Sequence, residues 1–264
     1  MIDLNLMQLF VDEAAVEKDQ TILEVGHGTG SMSDILATRA GKVIAVDIDN
    51  DLTHIAKEAL CDHNNIMFIN EDALSKKSLI SPKVQDAITA SVNELNGPFK
   101  LVANLPYQIA SPLMINLIMS QLNPEGLFVT IQLEVGQRIL AEAGSKAYGL
   151  MSILLQATGD VTLIRTLPQQ AFWPPPKIKS AMVAWRRNKE KMAAISNLAC
   201  FKNTIDMLLR HRRKMIRTAL VKNEFGINLL QLAESLNIDT TLRGEALPVK
   251  TIIKLANAIY PLTK

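Results

Sequence analysis

The sequence predicts an α/β fold. A doubly wound, Rossmann-like parallel sheet is expected over residues 1–187, followed by a small all-helical, basic domain over 188–264. Three observations predict it. Short apolar runs alternate with amphipathic helical stretches through the first half of the chain. Three glycines, Gly26, Gly28 and Gly30, stand between the first apolar run and the first helix that follows it, where a doubly wound sheet turns from strand to helix. Beyond residue 188 only helical periodicity persists and the charge inverts: residues 1–187 carry 15 Lys+Arg against 20 Asp+Glu, residues 188–264 carry 13 against 6.

Taken in order, "TILEV" (21–25) reads as a strand, "SMSDILATRA" (31–40) as a helix, "KVIAVDI" (42–48) as a strand and "DLTHIAKEAL" (51–60) as a helix. "IMFIN" (66–70) and "FKLVANL" (99–105) are further strands, with a loop and one helix expected between them over 75–97. "SPLMINLIMSQL" (111–122) is helical and "LFVTIQLE" (127–134) is a strand. These strands are continuous apolar runs, as expected where both faces of a sheet are covered. "VTLIRTL" (161–167) and "SAMVAWR" (180–186) read as a closing pair of strands, and "NLACFKNTIDMLLRHRRKMIRTAL", "LLQLAESL" and "VKTIIKLANAIY" as helices.

The bulk numbers fit this plan. At 264 residues, 48% hydrophobic and 20% charged, the chain has room for one large and one small domain. Cys61 and Cys200 are the only cysteines, far apart and without CxxC spacing, so reduced thiols and no metal site are expected. No apolar run has the length of a membrane span and no secretory signal is visible, which points to the cytoplasm.

The glycine turn reads "LEVGHGTGS". Its spacing is G-x-G-x-G, with Ser31 where the dinucleotide fingerprint would continue, so a nicotinamide cofactor is disfavoured. Glu24 ahead of the glycines completes the E-x-G-x-G-x-G pattern typical of enzymes that use S-adenosylmethionine. Glu24, Gly26, His27, Gly28 and Gly30 are therefore expected to hold the amino-acid end of that cofactor. Asp47 and Ile48 end the second strand, where a carboxylate can accept from two ribose hydroxyls. Asp72 and Ala73 follow the third, where a carboxylate can take an adenine amino group. Each feature alone is compatible with an ordinary turn or a solvated acid; together they describe one adenosine-shaped crevice.

The fourth strand runs into "NLPYQIASP". Asn104 Oδ1 and a backbone carbonyl, that of Leu105, can each accept one N–H of an amino group conjugated to a ring. That arrangement fixes the nitrogen and favours the positive charge it acquires on alkylation. Pro106 fixes φ and so the carbonyl, and Tyr107 offers a face for a flipped base. In "QQAFWPPPKIKSAMVAW", a proline-stiffened stretch, Phe172 is expected to form the opposite wall of a base sandwich and Trp173 to pack.

With these stretches in hand, the chain resembles the bacterial-type ribosomal small-subunit adenine dimethyltransferase family. "LEVGHGTG", "VIAVDID", "EDAL", "NLPYQIASP", "SKAYGLMSI", "FWPPPKIKSAMV", "RHRRKMIRTAL" and "LRGEALPV" carry the resemblance from about residue 20 to the end. It implies transfer of two methyl groups to N6 of each of two adjacent adenosines near the 3′ end of small-subunit (16S) rRNA, within a pre-ribosomal particle. Gly26, Asp47, Asp72 and Asn104 would contact the cofactor; Asn104 and Tyr107 would handle the base, with Phe172 stacking on it. A monomer is expected. His27 stands where the family has proline. The family's G-Q-x-F-L segment is not seen ahead of "IDLNLMQLF", which motivates a second reading, an assembly or RNA-binding factor with weak catalysis. A third is a large-subunit rRNA methyltransferase of the macrolide-resistance type. The basic run "RHRRKMIR", with Arg210, Arg212, Arg213, Lys214 and Arg217 on a helix, is expected to meet rRNA phosphates.

Overall fold

A computed structural model describes residues 3–223 and 227–263. It divides into two compact units: residues 1–136 with 162–186, and residues 137–161 with 187–264. The second unit thus joins 137–161 to the residues from 187 onward.

The elements run α1 (Leu4–Glu13), β1 (Thr21–Val25), α2 (Ser31–Arg39), β2 (Lys42–Asp47), α3 (Asn50–Ala59), β3 (Ile66–Asn70), β4 (Leu74–Lys76), β5 (Leu79–Ile80), α4 (Pro82–Leu95), β6 (Phe99–Asn104), α5 (Tyr107–Met119) and β7 (Gly126–Gln132). There follow α6 (Leu133–Ile139), α7 (Leu150–Thr158), β8 (Gly159–Leu167), β9 (Ser180–Arg187), α8 (Lys189–Ala193), α9 (Leu198–Leu209), α10 (Ile216–Val221), α11 (Leu229–Ser235) and α12 (Val249–Ile259).

The main sheet has the order β3-β2-β1-β6-β7-β9-β8. β1 pairs in parallel with β2 and β6, β2 with β3, and β6 with β7, whereas β9 runs antiparallel to β7. The sheet is therefore mixed, and the carboxyl ends of β1, β2, β3 and β6 share one edge. Strand order reverses beside β1, so that edge is a topological switch point. β1 is buried along its whole length, Thr21 and Glu24 included. Helix starts are set by capping side chains: Asp3 accepts from the Leu6 N–H (3.1 Å), and Asp49 from those of Asp51 and Leu52 (2.9 and 3.0 Å).

The first unit's core includes Phe10, Val11, Ile22, Leu36, Val43, Val102, Phe128, Phe172 and Met182. α1, which the sequence reading left unassigned, closes this core. Its C-terminal end is fastened by Lys100, whose Nζ donates to the carbonyls of Ala14 and Ala15, both at 3.0 Å. In the second unit α9 packs against α12 and α7. Among the described residues no helix is long and apolar enough to cross a membrane, and no cluster of three His, Cys, Asp or Glu could hold a metal ion.

Three local expectations are corrected. The region 75–97 holds a small hairpin, β4–β5, ahead of its helix. The helix placed at 111 begins at Tyr107 with Pro106 as its N-cap and carries Pro112 inside it. Pro112 suits a first-turn position, which drew the expected start toward it. Inside α5 it forfeits the bond to the carbonyl of Gln108, an exposed residue that water can satisfy. Finally, Arg210, Arg212, Arg213 and Lys214 occupy a turn between α9 and α10, not a helix; only Arg217 is helical. The turn lets Ile216 and Arg217 donate to the carbonyls of Leu242 (2.8 Å) and Thr240 (3.1 Å).

Candidate functional site

The glycine turn is pinned from both sides. The Gly26 N–H donates to the Val46 carbonyl (2.8 Å), and the Gly28 N–H donates to Asp47 Oδ2 (3.0 Å). Gly26 has φ +81°, and a Cβ there would come within 3.0 Å of Pro106 Cδ and 3.4 Å of the Asn104 carbonyl oxygen. Only glycine lets the first strand's turn lie against the Asn-Leu-Pro-Tyr segment. Gly28 is also left-handed (φ +58°), but a Cβ on it would meet nothing within 4 Å. Its missing side chain keeps space open.

That space belongs to a cavity of about 590 Å³ lined by Glu24, Gly26, His27, Gly28, Asn104 and Trp173, among others. A second cavity of about 180 Å³, lined by Gly26, Asp47, Ile48, Asp72, Ala73 and Pro106, shares that glycine with the first. An elongated ligand can thus straddle Gly26. An acidic, partly apolar wall would hold its purine and ribose, and a polar wall its amino-acid end. The donor set fits S-adenosylmethionine. Open space above a left-handed glycine, carboxylates at successive strand ends and the exposed Ile48 side chain supply close approach, acceptors and an apolar surface.

The acids differ in state. Asp47 accepts from the Gly28 N–H through one oxygen and from the Asp49 N–H (3.0 Å) through the other, so the backbone orients it and each oxygen retains a lone pair for a hydroxyl. Asp72 accepts from the Leu74 N–H through Oδ1 (2.9 Å). Glu24 is 1% exposed, and Ser33 Oγ donates to its Oε2 at 2.5 Å. Burial pushes its carboxyl up to about 7; the Ser33 hydrogen bond opposes this and the negative charge of Asp47 adds to it. His27 is buried too. Its Nδ1–H donates to the Gly28 carbonyl (2.8 Å) and its ring meets Phe68 edge-on at 5.4 Å. Burial lowers the imidazole below its ordinary pKa, against the pull of Asp47. The hydrogen bond and the ring contact hold the His27 side chain against the turn.

Asn104 ends β6 beside Thr130 of β7 and is partly exposed. The Leu105 N–H donates to the Thr130 carbonyl (3.2 Å), and the Pro106 carbonyl accepts from Ile109 (3.1 Å), which starts α5. The strand-to-helix turn is thereby held at both ends. Tyr107, at the first position of α5, has its hydroxyl 2.6 Å from Ser180 Oγ at the start of β9. Ser180 and Ser33 are partners that sequence reasoning did not identify. Ser180 lies inside the quoted "FWPPPKIKSAMV", yet nothing in the spacing says it reaches Tyr107, 73 residues earlier.

The two neighbouring aromatics lie in different environments, and the packing expected of Trp173 is not found. Phe172 is 7% exposed and belongs to the core, whereas Trp173, expected to pack, is 79% exposed. In the second unit, Arg210, Arg213, Lys214 and Arg217 are exposed. Arg212 is exposed as well. Its guanidinium pairs with Glu245 (2.9 Å) and donates to the carbonyls of Lys146 (3.1 Å) and Tyr148 (2.8 Å), so it is committed within the unit.

The model of the family described as "Ribosomal RNA adenine dimethylase" matches residues 1–260. The chain is 32% identical to the ribosomal RNA small subunit methyltransferase A of Streptococcus thermophilus, over 98% of this chain and 89% of that protein. It is 31% identical to the Staphylococcus aureus protein of the same name, over 97% and 85%. In fold it is similar to a dimethyladenosine transferase from Plasmodium falciparum, with TM-score 0.79, 22% identity, and 97% and 95% of the two chains covered. It is also similar to the 23S rRNA methyltransferase ErmE, with TM-score 0.68, 20% identity and 98% of each chain covered. The match along nearly the whole chain settles the grouping: this protein belongs to the ribosomal RNA adenine dimethylase family.

Proposed function

We propose that this protein is an S-adenosylmethionine-dependent rRNA adenine dimethyltransferase. It modifies N6 of two adjacent adenosines near the 3′ end of small-subunit rRNA, acting as a cytoplasmic monomer on a pre-ribosomal particle. One observation carries the reading: the turn at Gly26 is packed against Asn104 and Pro106, so the crevice beside Asp47 and Asp72 and the cavity beside Asn104 meet at one residue. The small-subunit names of the relatives above 30% identity support this target over the large subunit; the likeness to ErmE supports the fold alone.

Glu24, Gly26, His27, Gly28 and Gly30 hold the amino-acid end of the cofactor in this reading, and Asp47, Ile48, Asp72 and Ala73 its nucleoside. When bound, S-adenosylmethionine supplies a methyl group on a positively charged sulfur. Asn104 Oδ1 and the Leu105 carbonyl accept the two N–H bonds of the adenine amine. These acceptors hold the nitrogen in line and stabilise the positive charge that grows on it. No strong base is needed, because the nitrogen becomes far more acidic once it is alkylated and its proton passes to water. For the second methyl only one N–H remains, so one acceptor suffices and the other must tolerate a methyl group. Tyr107, oriented by Ser180, stacks on the base. Arg210, Arg213, Lys214 and Arg217 meet phosphates, which position the RNA without reading its sequence.

Unmodified small subunits and labelled S-adenosylmethionine test this. Digested rRNA is expected to contain N6,N6-dimethyladenosine at the small-subunit 3′ end, and Asn104→Ala is expected to abolish it. A protein that binds the cofactor yet transfers nothing, or whose particle binding survives Asn104→Ala with no turnover in the parent, is an assembly factor instead.

A further inference from the structure

We infer that Ser81 is a positioning residue for cofactor binding: it holds the crevice wall of Glu71, Asp72 and Ala73 where Asp72 can accept the 6-amino group of adenine. The inference rests on the cofactor reading above. Ser81 is 4% exposed and stands between the end of β5 and the start of α4. Its N–H donates to the Ala73 carbonyl (2.9 Å), and its hydroxyl donates to the Glu71 carboxylate. One residue thus fastens the wall on both sides of Asp72.

The hydroxyl is diverted from its ordinary task. Ser81 is the N-cap of α4, where a serine side chain usually accepts from the helix's first free N–H groups, yet it makes no such bond. Pro82, in the first turn, has no N–H to cap, which lessens the loss. The wall needs the hold that Ser81 gives. Between Ala73 and Ser81 the chain departs into the β4–β5 hairpin, whose residues 75–79 are exposed. Glu71–Ala73 is one foot of that excursion, and Ser81 closes it. On the other side, Asn70 Nδ2 donates to the Asp47 carbonyl (3.0 Å), which ties the same wall to the ribose side of the crevice. Asp72 itself has only a local bond, from the Leu74 N–H to Oδ1 (2.9 Å), so its other oxygen remains for a ligand and its place depends on its neighbours. Glu71, Asp72 and Ala73 line the cavity of about 180 Å³ together with Asp47 and Ile48. A hydrogen bond to a base edge is strict about distance and angle, so a small shift of this wall forfeits it.

Calorimetric titration with S-adenosylhomocysteine and with its purine-riboside analogue, which lacks the 6-amino group, tests the assignment. The parent should prefer S-adenosylhomocysteine about tenfold, as expected for one hydrogen bond to a carboxylate. Ser81→Ala keeps the backbone bond to Ala73 but releases Glu71. It should weaken S-adenosylhomocysteine about tenfold and the analogue by less than about twofold, so that the preference largely disappears. Ser81→Thr should restore it. In the ligand-free protein, the Leu74 amide should exchange its hydrogen faster in Ser81→Ala than in the parent. A preference that survives in Ser81→Ala, or an equal loss for both ligands, overturns the assignment and leaves the cofactor reading intact. A parent that binds neither ligand defeats the cofactor reading, and the assignment falls with it.

Discussion

Glu24 offers a direct test of the electrostatics at the glycine turn. Its carboxyl is buried and pushed up to about 7 from an ordinary 4.5. An acid whose pKa is higher in the folded state holds its proton more tightly there than when unfolded. Stability from this group is therefore greatest below about pH 4.5, falls as pH rises, and is fully lost above about pH 7, where the buried carboxylate must ionise. The gap corresponds to about 3 kcal/mol. Glu24→Gln removes the titration while keeping an acceptor for the Ser33 hydroxyl. The exchange has its own cost or gain, which does not change with pH. The prediction therefore concerns the difference between the two proteins: between about pH 5 and pH 8.5 the variant should gain about 3 kcal/mol relative to the parent. At about 2–4 °C per kcal/mol, that is a relative shift in melting temperature on the order of 6–12 °C. Thermal or urea denaturation across that range measures it. A difference between the two proteins that stays flat with pH would show that Glu24 is ionised throughout and that burial does not govern it.

The turn glycines should separate folding from binding. Gly28→Ala faces open space and should cost about 1–2 kcal/mol for its left-handed backbone while weakening S-adenosylhomocysteine binding, read by calorimetry. Gly26→Ala adds a clash with Pro106 and should lose more stability than Gly28→Ala by denaturation. Lys100→Met removes two charge-assisted hydrogen bonds at the end of α1, one of them buried, and should destabilise by about 1–3 kcal/mol in urea, more than Lys42→Met, whose ion-pair partner Glu94 is exposed. His27 should titrate below its ordinary 6.5 by NMR, so its contribution to stability is intact above that pH and fades as pH falls through the lowered value; titration above 6.5 would contradict its burial.

What the sequence made legible is what short-range pattern encodes. The strands of the main sheet were located to within about two residues, the central ones because a strand covered on both faces has little choice of composition. The glycines and the acids at strand ends were legible for the same reason: backbone turns and crevice positions demand particular residue types. α1 and α7 were missed. Neither belongs to the alternating strand-and-helix rhythm, and both owe their place to packing across long sequence separations. The two serines that orient Glu24 and Tyr107 were equally invisible, since a hydroxyl's partner is fixed by the fold and not by its neighbours in the chain.

The aromatic pair Phe172–Trp173 shows where such reading stops and why. Both rings sit in one stiff, proline-rich stretch, and hydrophobicity ranks them as nearly equal candidates for the core. Which one turns inward is decided by the extended backbone at Phe172 (φ −128°, ψ 152°) and by the space left between α1, β9 and β7. Adjacent side chains on extended backbone point to opposite sides, so burying Phe172 directs Trp173 outward. The inward turn of Phe172 and the outward turn of Trp173 are thus set by packing across the sheet, which the spacing of the motif does not encode.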